Sequence, residues 1–145
     1  MNVGAICSRR VISASVSASL SEVVALMRDE RVGMVIVTRT VDGSPRVAGV
    51  VTDRDIVRAQ LTHTADFSQL STTETMTSEP LLVSTDEDIG DALRRMRTRR
   101  VRRAPVIDSH GSLVGVLSID DVLTQIAREL GGLAGVIARQ GGASA

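Results

Sequence analysis

A hydroxyl and a carboxylate stand three positions apart at two places in the chain, as Thr52 and Asp55 and again as Ser118 and Asp121. Each pair follows a short apolar run and precedes a helical pattern, so the hydroxyl sits where a strand hands over to a helix. A carboxylate in that position can accept two hydrogen bonds from vicinal hydroxyls, which is what a ribose offers. The hydroxyl and the free N–H groups of the first helical turn suit a phosphate oxygen. The same spacing also makes a helix capping box, worth ~1 kcal/mol of stability and needing no ligand. The two roles are compatible.

These pairs belong to a longer duplication. The run from Gly49 to Ile56 returns from Gly115 to Val122, and Leu20, Val23, Val24 and Met27 answer to Ile89, Ala92, Leu93 and Met96. The offset is 69 residues at the front and 66 at the back. The difference falls in the polar stretch 38–46, which reads as a hairpin loop longer than its counterpart 108–111. Within each repeat the pattern changes period in the same order. A short apolar strand (10–14 or 80–83) precedes an amphipathic helix, with Ser19 and Glu22 as a capping box for the first. A hairpin of two strands follows (32–37 with 47–51, and 104–107 with 113–117), then a last helix carrying Ile56, Val57 and Leu61 or Val122, Leu123, Ile126 and Leu130. The expectation is an α+β fold of two tandem β-α-β-β-α repeats, related by pseudo-two-fold symmetry and forming one compact module.

The repeats are placed at 6–62 and 76–131, with a Ser- and Thr-rich linker at 63–75 and a glycine-rich tail at 132–145 read as disordered. The last helix is expected to stop near Gly131, although Leu133, Val136 and Ile137 offer one further turn against a partner. At 145 residues and 43% apolar, the chain can bury a core. Its 17 basic and 17 acidic residues cancel, leaving no global field toward DNA or an anionic membrane. One Phe and no Tyr or Trp remove aromatic stacking as a general means of holding bases. A lone Cys7 suits a reducing compartment, and no signal peptide or run of about 18 apolar residues is found, so a cytoplasmic location is expected.

The duplicated unit, the Gly-x-x-Thr/Ser-x-x-Asp ending and the run Arg-Ala-Pro-Val-Ile-Asp at 103–108 together resemble the CBS domain, which occurs in tandem as a Bateman module. With no catalytic, channel or DNA-binding domain attached, the chain is most similar to stand-alone bacterial CBS pairs. The resemblance implies a sensor, not an enzyme, that binds an adenosine-containing ligand such as AMP, ADP, ATP, S-adenosylmethionine or NAD in clefts between the repeats, with no cofactor required. It also implies pairing into a disc-like homodimer and leaves room for a further protein partner. Ligand contacts are implied at Thr52, Asp55, Ser118 and Asp121, and at Arg102, Arg103, Ala104 and Pro105 in the second repeat. The matching positions of the first repeat are Gly33 and Met34, which carry no charge, so the two clefts should differ in their hold on phosphate. With a single Phe and no Tyr or Trp, the adenine needs aliphatic walls, for which Ile12, Ala14, Leu82, Val83, Val50 and Val116 are candidates.

Every basic residue apart from the histidines is arginine, and seven of them lie in 94–103. Helical spacing puts most of the seven on a solvated face, while Arg102 and Arg103 lead into a strand and can reach a phosphate through their planar donors. The alternative to a ligand sensor is a nucleic-acid-associated stress protein using this cluster as a phosphate-tracking patch, which net neutrality opposes. A ligand-free structural dimer is the third reading. His63 and His110 read as solvated, Asp120 and Asp121 as first-turn acids favoured by the helix dipole, and Met27, Met34, Met76 and Met96 as packing residues. Cys7 has no nearby His or Lys to make it a nucleophile, and neither metal-ligand spacing nor a P-loop occurs.

Overall fold

The computed structural model describes residues 1–62 and 66–143. His63 therefore lies outside the described residues. Each repeat forms its own sheet, with helices packed on it. In the first, β1 (Ser13–Ser15) runs parallel to β2 (Met34–Val41), which pairs antiparallel with β3 (Ser44–Thr52). In the second, β5 (Val83–Ser84), β6 (Arg103–Ile107) and β7 (Leu113–Ser118) repeat the arrangement. Between strands lie α2 (Leu20–Glu30) and α5 (Ile89–Arg99), and the repeats close with α3 (Asp53–Thr62) and α6 (Ile119–Ala143). The order β-α-β-β-α is the one expected.

Local chemistry sets the helix ends. Ser19 and Glu22 form the capping box of α2, the Ser19 hydroxyl accepting from Glu22 N at 3.1 Å and the Glu22 carboxylate accepting from Ser19 N at 2.9 Å. Asp88 caps α5 by accepting from Gly90 N at 2.9 Å. Both helices stop at an arginine in left-handed conformation, Arg31 at φ 54° and Arg100 at φ 55°. These turns aim the chain back along the sheet, which for α5 brings Arg102 and Arg103 to the start of β6.

Two connections differ from the expectation. The stretch 38–46 is mostly strand, because β2 and β3 extend to a two-residue turn at Asp42 and Gly43 with φ of 50° and 77°. Positive φ at both central positions is the hairpin turn that an Asp-Gly pair favours. The extra residues therefore lengthen a hairpin, with an irregularity in register between Val37 and Thr38. The last helix does not stop near Gly131 but runs unbroken to Ala143. Glycine lowers helix stability by ~1 kcal/mol per residue without removing a donor, and no proline interrupts the flanking Leu, Ala and Arg.

The stretch 66–75, part of what reads as a linker, carries structure of its own. A 3-10 turn (Phe67–Gln69) and α4 (Thr72–Thr75) lead into β4 (Thr77–Ser78), which adds to the first sheet beside β3. Leu70 belongs to the first core with Leu20, Val23, Val35, Val37, Val51 and Ala59. Reciprocally, α1 (Val3–Ile6) at the chain start packs on the second repeat. Val3 joins Leu81, Val83, Ala92, Met96, Ala104, Val106, Leu117 and Val122 in the second core. Val3 and Thr72 occupy equivalent positions, 69 residues apart, and both are fully buried.

The hydrogen bonds have the same reciprocity. Leu20 N donates to Leu70 O and Ile89 N to Met1 O, while Ser8 and Val116 of β7 exchange bonds in the second repeat as β4 pairs with β3 in the first. Each repeat thus begins with a segment that completes the other.

The duplicated glycines exist for this exchange. A Cβ on Gly49 would lie 2.7 Å from Thr77 O, and one on Gly115 would lie 2.7 Å from Ser8 O, with the Cys7 sulfur at 3.1 Å. Both would press on backbone. Gly49→Ala and Gly115→Ala should each destabilise the fold by about 1–3 kcal/mol through overpacking, measured by urea denaturation. Gly43→Asn, where no atom lies within 4 Å and asparagine tolerates positive φ, should cost under about 0.5 kcal/mol. Equal losses at the three positions would contradict the close-approach role.

Candidate functional site

The strand-to-helix corner of each repeat is built as a capping box. Asp55 accepts from Thr52 N at 2.9 Å and from the Thr52 hydroxyl at 3.1 Å, while Thr52 Oγ1 accepts from Asp55 N at 3.3 Å. Ser118 and Asp121 mirror this, with Ser118 N donating to Asp121 at 3.2 Å and Asp121 N to Ser118 Oγ at 3.1 Å. The corners are not identical. Asp55 is buried, and the hydroxyl of Thr77 in β4 donates to both of its carboxylate oxygens, at 3.2 and 3.3 Å. The position equivalent to Thr77 is Ser8, whose hydroxyl accepts from Arg10 N. One carboxylate oxygen of Asp121 therefore keeps no partner among the described residues.

Two clefts open at these corners, between the repeats. The larger, about 530 Å³, is lined by Gly33, Met34, Val50, Thr52 and Asp55 of the first repeat and by Arg102, Arg103 and Pro105 of the second. Pro80 and Leu81 close it with Thr77. The smaller, about 180 Å³, takes Ile12, Met34, Val116, Ser118 and Asp121, with Ser8, Arg10 and Arg103 on its walls. Met34 and Arg103 line both.

Four of the residues expected in a cleft line neither. Val83 and Ala104 lie in the second core, Ala14 packs on the first, and half-buried Leu82 uses its carbonyl to accept from Arg95 at 2.9 Å. Strand alternation explains Ala104. Arg103 and Pro105 face the cleft, so Ala104 between them faces the core. Ile12 and Leu81 are equivalents 69 residues apart and each reaches a cleft ahead of its strand, while Ala14 and Val83, two positions on, lie within β1 and β5 and pack on the cores.

The arginine cluster divides by partner. Arg94 pairs with Asp91, and Arg95 reaches Glu87 at 2.7 Å, so these two charges are neutralised locally. Arg99 and Arg100 are exposed, as expected, and also line the larger cleft with Arg102 and Arg103. Arg54 and Arg58 of α3 join them from the opposite wall. Sequence reading missed these two, although their spacing of four on the helix after Thr52 puts them beside Asp55. The cleft therefore gathers six guanidinium groups against the carboxylates of Asp53 and Asp55. Among the described residues none of the six forms an ion pair, and Arg99 donates only to Glu79 O, at 3.0 Å. In the smaller cleft Arg10 is held by Glu30 at 2.7 Å.

Such a wall of unpaired planar donors has the chemistry to hold an anion with several oxygens, close to a hydroxyl and a carboxylate that can meet a diol. His110 lies far from this chemistry, in the turn after β6, where its backbone N–H donates to Asp108 at 2.9 Å and its carbonyl accepts from Arg46. The N–H of Ser112 is the main cause holding the Asp108 carboxyl below its ordinary range. What that bond adds to the turn is therefore lost as pH falls through the lowered value.

Fold and sequence comparison agree on the class. The CBS domain family matches residues 3–62 and 70–128, and the chain belongs to that family as a tandem pair. A CBS domain protein from Pyrobaculum aerophilum, solved as a complex with AMP, is 28% identical and superposes with a TM-score of 0.75 over 88% of this chain and 99% of its own. The CBS domain-containing protein YhcV of Bacillus subtilis is 28% identical over 126 residues, 86% of each chain. A protein of Methanopyrus kandleri is 25% identical over 85% of this chain, which spans 61% of that protein. No described helix is long and apolar enough to cross a membrane.

The two corners make different predictions. Asp55→Ala leaves the Thr52 N–H and the Thr77 hydroxyl without their acceptor in a buried place and should cost about 2–3 kcal/mol. Asp121→Ala loses only the cap and should cost about 1 kcal/mol. Chemical denaturation of both variants measures the difference, and equal costs would contradict the part given to Thr77.

Proposed function

We propose that this tandem CBS pair is a regulatory sensor whose larger cleft binds an adenosine-containing phosphate ester. The carrying observation is the set of six arginines without ion pairs that line, with Thr52 and Asp55, a cavity of about 530 Å³. In this reading Arg54, Arg58, Arg99, Arg100, Arg102 and Arg103 supply phosphate contacts. The remaining lone pair of the Asp55 carboxylate accepts from the ribose, and Val50, Leu81 and Pro105 give aliphatic walls for the base. The AMP complex of the Pyrobaculum aerophilum protein supports the ligand class. The smaller cleft, with Ser118 and Asp121, is a second site for a ligand of lower charge.

The output is a shift of population. Six like charges set against only two carboxylates leave a net repulsion, so an anion that neutralises them favours the closed arrangement of the two repeats, and the surfaces carried by α3 and α6 move with it. Nothing in this reading requires catalysis. The division of the arginines also disfavours the nucleic-acid reading, because a phosphate-tracking patch needs the outer Arg94 and Arg95 free, and both are paired.

With neither Trp nor Tyr in the chain, protein absorbance at 280 nm is minimal, and a band at 260 nm in purified material would reveal retained nucleotide. In calorimetric titrations with AMP, Arg58→Ala and Arg103→Ala should each weaken binding by about 1.5–3 kcal/mol, the worth of a charged hydrogen bond. Arg94→Ala should leave it unchanged. Absence of heat or thermal shift with any adenosyl ligand would reject the reading. Duplex DNA binding that is lost in Arg94→Ala and falls steeply with salt would establish the alternative.

A further inference from the structure

The last helix leaves the body of the molecule. Val122 near its start is buried in the second core, yet every residue in 126–141 is exposed. The CBS match ends at 128, and α6 continues to Ala143. This projecting part is poorly made for solitude. Gly131, Gly132, Gly135 and Gly141 lie within it, and a Cβ at any of them would meet nothing within 4 Å. They lower helix propensity without permitting any close approach inside the protomer, and a short helix lacking tertiary cover is marginal in water.

Its apolar residues follow a rule. Leu123, Ile126, Leu130, Leu133 and Ile137 are separated by three, four, three and four positions, and each is between 47% and 63% exposed. That alternation is the 3.5-residue repeat of a coiled-coil seam. Gly131, Gly132 and Gly135 fall on the opposite face, and Ala127 and Ala134 flank the seam, where small side chains let a second helix approach. Only Glu129 and Arg139 are charged between 129 and 141.

We infer that the seam of α6 pairs with the α6 of a second copy of this chain, forming a two-stranded coiled coil that extends beyond the CBS domains. The occupant follows from the pattern: a 3.5-residue seam is complementary to another of the same period, and a two-fold axis brings each stripe onto its own copy. The area is sufficient. Covering the seam and Val136 removes roughly 600 Å² per helix, or about 1,200 Å² for the pair, the lower bound of a stable specific interface. The helix lacks the basic polar face that a membrane-surface helix would present. The inference stands independently of which ligand the clefts hold.

Sedimentation equilibrium of the full chain tests it, with circular dichroism over the same concentrations. The parent should be dimeric at 10 µM and lose helical signal on dilution to monomer. The double variant Leu130→Glu with Leu133→Glu should raise the dissociation constant at least 100-fold while keeping the parent's cooperative urea transition. Gly132→Ala with Gly135→Ala, on the outer face, should associate at least as tightly as the parent. The inference is overturned by a monomeric parent at 50 µM, by a glutamate variant that associates like the parent, or by an alanine variant that dissociates. Sedimentation of a monomeric parent with anionic lipid vesicles would overturn it in favour of a membrane surface.

Discussion

The exchange of leading segments is the constraint on which the rest of the structure depends. Val3 is buried in the core of the second repeat and Leu70 in that of the first, so neither core is complete without a piece of the other half of the chain. The exchange fixes the two sheets relative to one another, and the clefts are what remains open between them. It also brings Thr77 within hydrogen-bond distance of Asp55, locking one corner, while the equivalent Ser8 turns to its own backbone and leaves Asp121 with an accepting oxygen. The asymmetry between the corners comes from one hydroxyl.

Charge makes the second distinction. The chain is neutral overall, yet Arg94 and Arg95 on α5 find carboxylates while the six arginines that line the larger cleft form no ion pair among the described residues. Gathering unpaired like charges costs stability, and an anionic ligand returns it by mass action. On the proposed reading, the empty sensor is the less stable one. Arg103 lines both clefts, so a ligand that draws its guanidinium into one removes it from the other.

The repeats, their element order and the capping pairs were legible because they rest on local rules: hydrophobic period, the Ser19 and Glu22 box, and the strand-to-helix hydroxyls. What sequence could not supply was partnership at a distance. That Val3 packs on the second repeat, or that Arg58 and Arg102 share a cleft, follows from the exchange, which no local pattern announces. The equivalence of Val3 with Thr72 was present in the offset of 69, but an apolar residue matched to a threonine carries little signal until both are seen buried. Leu82 and Val83 adjoin Pro80 and Leu81, which reach the cleft, and nothing in the run Leu-Leu-Val says which of the three turns to the core. The Asp-Gly pair at 42–43 is a readable hairpin signal inside an otherwise polar stretch. The run of α6 past Gly131 was harder, since glycine marks a helix end only when the chain has somewhere else to go.

Titration calorimetry of the full chain with adenosine, AMP and ATP, at low and at moderate salt, tests most directly the claim that the larger cleft is an anion site for an adenosyl ligand. The account predicts that affinity rises at least about tenfold from adenosine to AMP, ~1.4 kcal/mol, rises again with ATP, and falls for both nucleotides as salt screens the arginines. Adenosine binding as tightly as ATP, with no dependence on salt, would contradict it.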